Sequence, residues 1–454
     1  MGKQWITAAG LALLMTAQGM GQWSEPTFSI DYRGPTNGQA DPFLGLPITD
    51  ADILCSPVPG PPIGTPVLGC PTPPGIALPW TALSVVPNQF NNIELDALSY
   101  GRDNVFEERP VAFSVDDFAV GAGGFPAPDV ASEGAFGNQE AAADVFESLA
   151  PLALGPPGAP QPNVLRFDGD GFPPPALPTP GYGLVEPTPP GAGQGDNLDA
   201  LNMDTTADDL FGPVYFSLDA TVVDPITGVA GTGTAAANGF TGGDVLVAPP
   251  AAGGPAFVYA SANQLGLDLL GGPDSDDLDA LMLWDDGDMQ YNPVVDLLLF
   301  SVRRGSAVIG QPDSLWGVPI EEGDILIEPG FGGGSPFPGV FMAAESLGLA
   351  TWRSGLAQWG DDMDALSALR LLILGDVNGD GVVDGLDIQP FVDLLTGGGY
   401  QAEADINGDG VVDGLDIQPF VDIITGGGSS PTPEPATLSL LLLGALAVRR
   451  RRHR

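Results

Sequence analysis

Two stretches of this sequence carry oxygen ligands at the spacing a hard cation requires. DVNGDGVVDGLDIQPFVDLLTGG starts at Asp376, and DINGDGVVDGLDIQPFVDIITGG starts at Asp405, 29 residues later. In the first, Asp376, Asn378 and Asp380 stand at positions 1, 3 and 5 of a 12-residue loop, and Gly381 supplies the sharp turn at position 6. Val382 offers its backbone carbonyl at position 7, Asp384 stands at position 9 and Asp387 at position 12. The second loop repeats this with Asp405, Asn407, Asp409, Gly410, Val411, Asp413 and Asp416. Carboxylate, amide and carbonyl oxygens gathered on one tight turn suit Ca2+, which takes roughly six to eight of them. The expectation is one calcium ion per loop, two in the chain.

Each loop needs an element to hold it. A short amphipathic helix is expected after each, over Leu386–Thr396 and Leu415–Thr425, with Ile388, Phe391, Val392 and Leu395 on one face at helical spacing. Pro390 falls in the first turn, where its missing N–H is tolerated. No helical pattern precedes Asp376, and the 29-residue period leaves no room for a full helix before Asp405. An EF-hand would have one.

Loop-then-helix in tandem over 376–428, with Asp at position 12, resembles a type I dockerin domain. The resemblance implies calcium-dependent folding and docking to a cohesin-like protein, the way carbohydrate-active enzymes are attached to a scaffold. In cellulosomal members, positions 10 and 11 often carry the hydroxyl residues that read the cohesin. Here those positions are Gly385-Leu386 and Gly414-Leu415, a departure from that pattern that leaves the calcium ligands intact.

Residues 28–366 contain a fourfold repeat. An FS-φ segment opens each unit, at Phe28-Ser29-Ile30, Phe113-Ser114-Val115, Phe216-Ser217-Leu218 and Phe300-Ser301-Val302, separated by 85, 103 and 84 residues. An Asp with two large apolar residues follows, at Asp52-Ile53-Leu54, Asp144-Val145-Phe146, Asp244-Val245-Leu246 and Asp324-Ile325-Leu326. Each unit closes on φ-D-A-L text: Leu95–Leu98, Leu198–Leu201, Leu278–Leu281 and Met363–Leu366. Further short apolar stretches, such as Phe257–Ala260 and Val340–Ala343, lie between these anchors. The pattern predicts about four short strands per unit between Gly/Pro-rich loops. The expected fold is therefore mostly β, a four-bladed β-propeller closed by its first and last units, or alternatively tandem β-sandwich units. A small α dockerin-like calcium domain follows it.

The repeated Asp96, Asp199, Asp279 and Asp364 have two readings. They could line a shared metal or sugar site at a ring's centre, or cap turns by accepting backbone N–H bonds, the commoner use. Asp168-Gly169-Asp170-Gly171 and Asp285-Asp286-Gly287-Asp288 are fragments of calcium-loop text too short to form a loop.

Composition limits the partners. The chain of 454 residues has 58 acidic and 14 basic side chains, a formal charge of −44. Such a surface repels nucleic acid and anionic lipid and attracts divalent cations. The 65 glycines and 47 prolines point to a loop-rich protein.

Both ends read as export signals. Residues 1–21 resemble a secretory signal peptide, with Lys3, an apolar core at Trp5–Met15 and small residues at Ala17, Gly19 and Gly21. At the other end, residues 431–454 hold Pro433-Glu434-Pro435, an apolar run at Ala436–Val448 and a cluster of arginines. The run is shorter than the roughly 20 residues of a spanning helix, and the arginines would hold the end on the cytoplasmic side. This arrangement resembles the PEP-CTERM sorting signal. The resemblance implies transient membrane contact, cleavage by an exosortase and release to the envelope or exopolysaccharide of a Gram-negative-type bacterium. Cys55 and Cys70, the only cysteines, are expected to form a disulfide in an exported chain.

No nucleophile constellation is present, because the one histidine, His453, lies in the terminal arginine cluster. A glycosidase needs only two carboxylates, so a carbohydrate-active enzyme or its accessory subunit remains the alternative. A fourfold repeat suits a non-catalytic binding or structural surface better than one asymmetric active site. The first expectation is thus a non-catalytic protein of the cell envelope, outer surface or extracellular matrix.

Overall fold

The computed structural model describes residues 26–31, 33–57, 72–86, 95–100, 111–116, 119, 121–125, 127–135, 141–148, 161–169, 183–184, 196–203, 213–219, 234–248, 256–285, 287–293, 296–329, 334–355, 359–368, 374–377, 383, 385–397, 401, 403–407 and 411–424. The chain divides into two compact units. The larger comprises Glu25–Pro57 and Pro62–Arg370, and the smaller contains the stretch from Leu371 onward.

In the larger unit, short runs of Val, Ile, Leu and Phe form strands, and Gly- and Pro-rich text separates them. The chain first lays down β1 (Thr27–Ser29), β2 (Ile53–Cys55) and β3 (Gly75–Leu78). A second sheet holds β4 (Ala97–Ser99), β5 (Val111–Ser114), β6 (Val145–Ser148) and β7 (Asn163–Phe167). A third holds β8 (Ala200–Met203), β9 (Val214–Ser217), β10 (Val245–Ala248) and β11 (Phe257–Ala260). A fourth holds β12 (Leu278–Trp284), β13 (Leu297–Val302), β14 (Ile325–Ile327) and β15 (Gly339–Met342). The last strand, β16 (Ala365–Ser367), returns to pair with β1 and completes the first sheet in the order β16-β1-β2-β3.

Every pairing is antiparallel. The first strands of the four sheets, β4, β8, β12 and β16, pack on one another around a common axis. The larger unit is a four-bladed β-propeller, closed by its own two ends, and it is not a row of sandwiches.

The register explains the repeated text. In each blade the FS phenylalanine lies opposite the leucine of D-A-L: Phe28 opposite Leu366, Phe113 opposite Leu98, Phe216 opposite Leu201 and Phe300 opposite Leu281. Across its other edge the same phenylalanine meets Leu54, Phe146, Leu246 or Leu326. A register shift precedes that third residue in all four blades. The four FS phenylalanines are fully buried, and each contributes about 1.5–3 kcal/mol by leaving water. The cores lie between blades: one cluster joins Ile53 and Leu78 to Phe113, a second joins Leu201 and Phe216 to Val145, and a third joins Tyr215 to Phe300.

The unit read from the sequence is offset from the blade by one strand. D-A-L text closes a sequence unit, yet it forms the inner strand of the next blade. Units one and four share a turn in which Asp41 accepts from the N–H groups of Phe43, Leu44 and Leu46, and Asp313 from those of Leu315, Trp316 and Val318.

In the smaller unit, helices run over Ile388–Gly397 and Ile417–Ile424. Phe391 and Phe420 stack with ring centroids 4.0 Å apart at 13°. Val377, Ala404 and Val412 complete the core, and Leu394, Leu395, Ile406 and Ile424 flank it. The expected apolar face needs correction. Phe391, Leu394 and Leu395 point inward, while Ile388 and Val392 are exposed. With two short helices the inward stripe is narrow, so the 388/392 ridge falls on its outer shoulder. Among the described residues, no helix is long and apolar enough to cross a membrane.

Several expectations fall outside the described residues: the segments 1–21 and 431–454, including Pro433, Glu434 and Pro435, and the residues Cys70, Asn378, Asp380, Val382, Asp384 and Asp409. Cys55 ends β2.

Candidate metal centres

The loops of the smaller unit bury their two ends. Asp376 and Asp387, positions 1 and 12 of the first loop, are inaccessible to solvent, and Asp405 and Asp416 repeat the arrangement. In the second loop, Asp416 reaches back across the turn. Its Oδ1 accepts from the Asn407 N–H at 3.0 Å and its Oδ2 from the Asp413 N–H at 2.9 Å. Asp413 Oδ1 accepts from the Leu415 N–H at 2.7 Å. The side chains of Asn407, Val411 and Asp413 are exposed.

Gly375 ties the repeats together: its N–H donates to the Glu403 carbonyl at 2.8 Å. Its φ of 96° favours glycine, and a Cβ there would meet Val383 at 2.9 Å. Buried carboxylates on a tight turn are costly without a cation. The described donors are all oxygens, which fits Ca2+. Asp376, Asp387, Asp405 and Asp416 would hold the ions, with Asn407, Asp413 and the Val411 carbonyl completing the second site.

The same unit leaves a matched apolar surface uncovered. Leu386 and Leu415 are each 66% exposed, and Ile388, Val392, Ile417 and Val421 are exposed beside them.

The propeller holds two fourfold sets of buried aspartates. The set before the third strand of each blade is used structurally. Asp52 accepts from the N–H of Thr49 at 2.9 Å on one oxygen and of Trp80 at 2.8 Å on the other. Asp244 does the same with Thr241 at 2.9 Å and Ala262 at 2.8 Å, and Asp324 with Glu321 and Ala344, both at 2.9 Å. Asp144 accepts from the Gly169 N–H at 3.0 Å. These carboxylates staple one strand to the turn after the next.

The D-A-L set at the axis is different. Asp96, Asp199, Asp279 and Asp364 are all buried. Among the described residues, neither Asp199 nor Asp279 accepts a backbone N–H, and Oδ2 of each is buried without a hydrogen-bond partner. The turn-capping reading therefore fails for these two. Asp199 Oδ1 is met by the Asn197 amide at 3.3 Å. One carboxylate oxygen from each of Asp199, Asp219 and Asp277 lies within 4.8 Å of the other two, and Asp279, Asp362 and Asp364 form a second such group.

Two arginines enter this end of the axis. Arg303 pairs with Asp219 and, at 3.6 Å, with Asp277. Arg304 pairs with Asp31, with Asp362 at 3.7 Å and with Glu322 at 3.9 Å. Burial pushes Asp199 and Asp279 well above the ordinary aspartate range, and neighbouring carboxylates push further against Arg303. Burial carries Asp362 up to about 7, opposed by Arg304 and helped by Glu322 and Asp31.

Sequence reasoning singled out Asp96, Asp199, Asp279 and Asp364 but missed Asp219, Asp277, Asp362, Arg303 and Arg304. The available signal was a second acidic or amide residue two positions before the D-A-L aspartate, as Asn197, Asp277 and Asp362, and the charged residue after FS-φ. The calcium-like fragment at Asp285 has a structural use, since its carboxylate accepts from Tyr215 at 2.8 Å and Tyr259 at 3.2 Å.

Residues 374–419 match the dockerin type I domain family, the stretch that carries both loops and the start of the second helix. No curated protein and no solved structure matches the chain.

Proposed function

We propose that this is an exported, non-catalytic protein whose calcium-loaded dockerin domain docks to a cohesin-like partner and whose propeller is the binding or structural body. The supporting observation is the pair of matched apolar ridges, Leu386–Ile388–Val392 and Leu415–Ile417–Val421, on a unit whose acidic loop ends are buried. Dockerin type I domains bind calcium, and two ions in Asp376–Asp387 and Asp405–Asp416 would fix the two ridges relative to each other. Where cellulosomal relatives present hydroxyls, this chain presents Leu386 and Leu415, so its partner should offer an apolar surface.

The acidic charge, the leader-like residues 1–21 and the tail from Pro433 fit a place at the cell envelope, outer surface or extracellular matrix. Exosortase processing and contact with exopolysaccharide belong to this reading, as does a disulfide between Cys55 and Cys70. Such a bond closes a short loop and would stabilise the fold by about 3 kcal/mol.

The test is binding of the full chain to the cohesin-type domains encoded in the host genome, with calcium and with chelator. Calcium-dependent binding that is lost in the Leu386→Asp, Leu415→Asp double variant, with calcium uptake retained, is expected. Binding that ignores either change would refute the docking role. The alternative, a carbohydrate-active protein, has its own observation in Trp352, which is 70% exposed. Binding and hydrolysis on a polysaccharide array separate the two.

A further inference from the structure

We propose that the propeller axis holds a divalent cation of its own, calcium by the chemistry of its ligands, on Asp279, Asp362 and Asp364. This site is separate from the dockerin loops and does not depend on the docking role.

The two aspartate sets differ in what their oxygens meet. Asp52, Asp244 and Asp324 spend both carboxylate oxygens on backbone N–H groups. At the axis, Asp279 Oδ2 and Asp362 Oδ1 are buried and meet no hydrogen-bond donor among the described residues. Asp362 is held by its other oxygen, which accepts from the Arg304 backbone N–H at 2.9 Å. A buried carboxylate oxygen left bare costs about 1–3 kcal/mol or more, and these two carboxylates converge on one place with that of Asp364.

The spacing fits an ion. One oxygen from each of Asp279, Asp362 and Asp364 lies within 4.8 Å of the others. Three oxygens so placed can surround a single Ca2+ at roughly 2.3–2.6 Å each. The donors are hard carboxylates without histidine or cysteine, which selects against zinc and copper.

The neighbouring group, Asp199, Asp219 and Asp277, shows what happens where a cation is built in. There the guanidinium of Arg303 sits on Asp219 and Asp277. In the second group Arg304 meets Asp362 and is shared with Asp31 and Glu322.

The experiment uses the full chain with its loops silenced by Asp376→Ala, Asp387→Ala, Asp405→Ala and Asp416→Ala. Equilibrium dialysis against calcium chloride, with metal analysis, should find a single retained ion, and calcium should raise the melting temperature of the propeller transition. Adding Asp279→Asn and Asp364→Asn should abolish both the ion and the shift. In chelator the same pair should melt no lower than its parent, because two buried charges have been removed. If that pair does not fold, Asp362→Asn alone should lose the ion while keeping the β signal in circular dichroism. The proposal is overturned if the loop-silenced chain retains no ion, or if ion and shift survive the asparagine substitutions. It is equally overturned if the asparagines lower the melting temperature alike with and without calcium, as purely structural carboxylates would.

Discussion

The Ser29 hydroxyl donates to the carbonyl oxygen of Leu95 at 2.6 Å, and so joins β1 of one blade to the residue that leads into the inner strand of the next. The bond recurs around the ring. Ser114 reaches Leu198 at 2.9 Å, Ser217 reaches Leu278 at 3.0 Å and Ser301 reaches Met363 at 2.8 Å. All four serines are fully buried. The repeated FS text is therefore a clasp between blades: the phenylalanine fills the core and the serine holds the neighbour.

Replacing any one of these serines by alanine leaves a buried carbonyl without its donor. Each of Ser29→Ala, Ser114→Ala, Ser217→Ala and Ser301→Ala should cost about 1–3 kcal/mol. Urea denaturation followed by tyrosine and tryptophan fluorescence measures this. A loss within experimental error at all four positions would show that the clasp contributes nothing.

Calcium should be coupled to folding of the dockerin domain. Among the described residues its core has five buried apolar side chains, Val377, Phe391, Ala404, Val412 and Phe420. Burying each gives at most about 1.5–3 kcal/mol, whereas ordering each residue of the domain costs about 1 kcal/mol or more. Metal binding has to make up the difference. Chelator should remove the helical part of the far-ultraviolet circular dichroism, and calcium should restore it. Asp405→Ala with Asp416→Ala should remove one binding event from a calorimetric titration, as should Asp376→Ala with Asp387→Ala.

The metal-free propeller should be more stable in mild acid than at neutral pH. Burial raises Asp52 to about 6 against its bonds from Thr49 and Trp80, raises Glu321 to about 7 against Trp352 and Arg353, and raises Glu328 to about 7. A carboxyl whose folded pKa exceeds its unfolded value contributes stability below the unfolded pKa and loses it as pH rises through the folded one. The sign is therefore a fall in stability from about pH 4 to about pH 7. Self-repulsion of the acidic surface acts in the same direction. Calorimetry in chelator at pH 5 and pH 8 should give the higher melting temperature at pH 5, and the reverse order would contradict the burial of these groups.

The mature protein should lack both ends. Mass spectrometry of material from the native host should show loss of about 20 N-terminal residues, as a signal peptide implies, and loss of the terminal arginines. An exported form that still ends in Arg454 would exclude the sorting reading.

What the sequence by itself determined are features carried by neighbours in the chain. Oxygen-bearing residues at fixed offsets from Asp376 and Asp405, the helical run after each, and four copies of FS, D-φ-φ and D-A-L text are all local patterns. They were enough to point to a dockerin domain and to a mostly β fold, a four-bladed propeller or a row of sandwiches, because short-range periodicity marks strands and turns. Only the tertiary structure decided which strand belongs to which blade, since β16 closes onto β1 across nearly the whole propeller. It also decided which apolar residues of the dockerin helices face inward, because a narrow two-helix core leaves Ile388 and Val392 outside. Above all it separated two kinds of aspartate written with the same letter. Asp324 finds N–H groups three residues before it and one turn after the next strand, so both its oxygens are satisfied. Asp279 is brought against Asp362 and Asp364 from another blade, where the fold supplies carboxylates and no donor for its Oδ2. A residue's local text sets the direction of its side chain, but what it meets is set by strands that arrive from far along the chain.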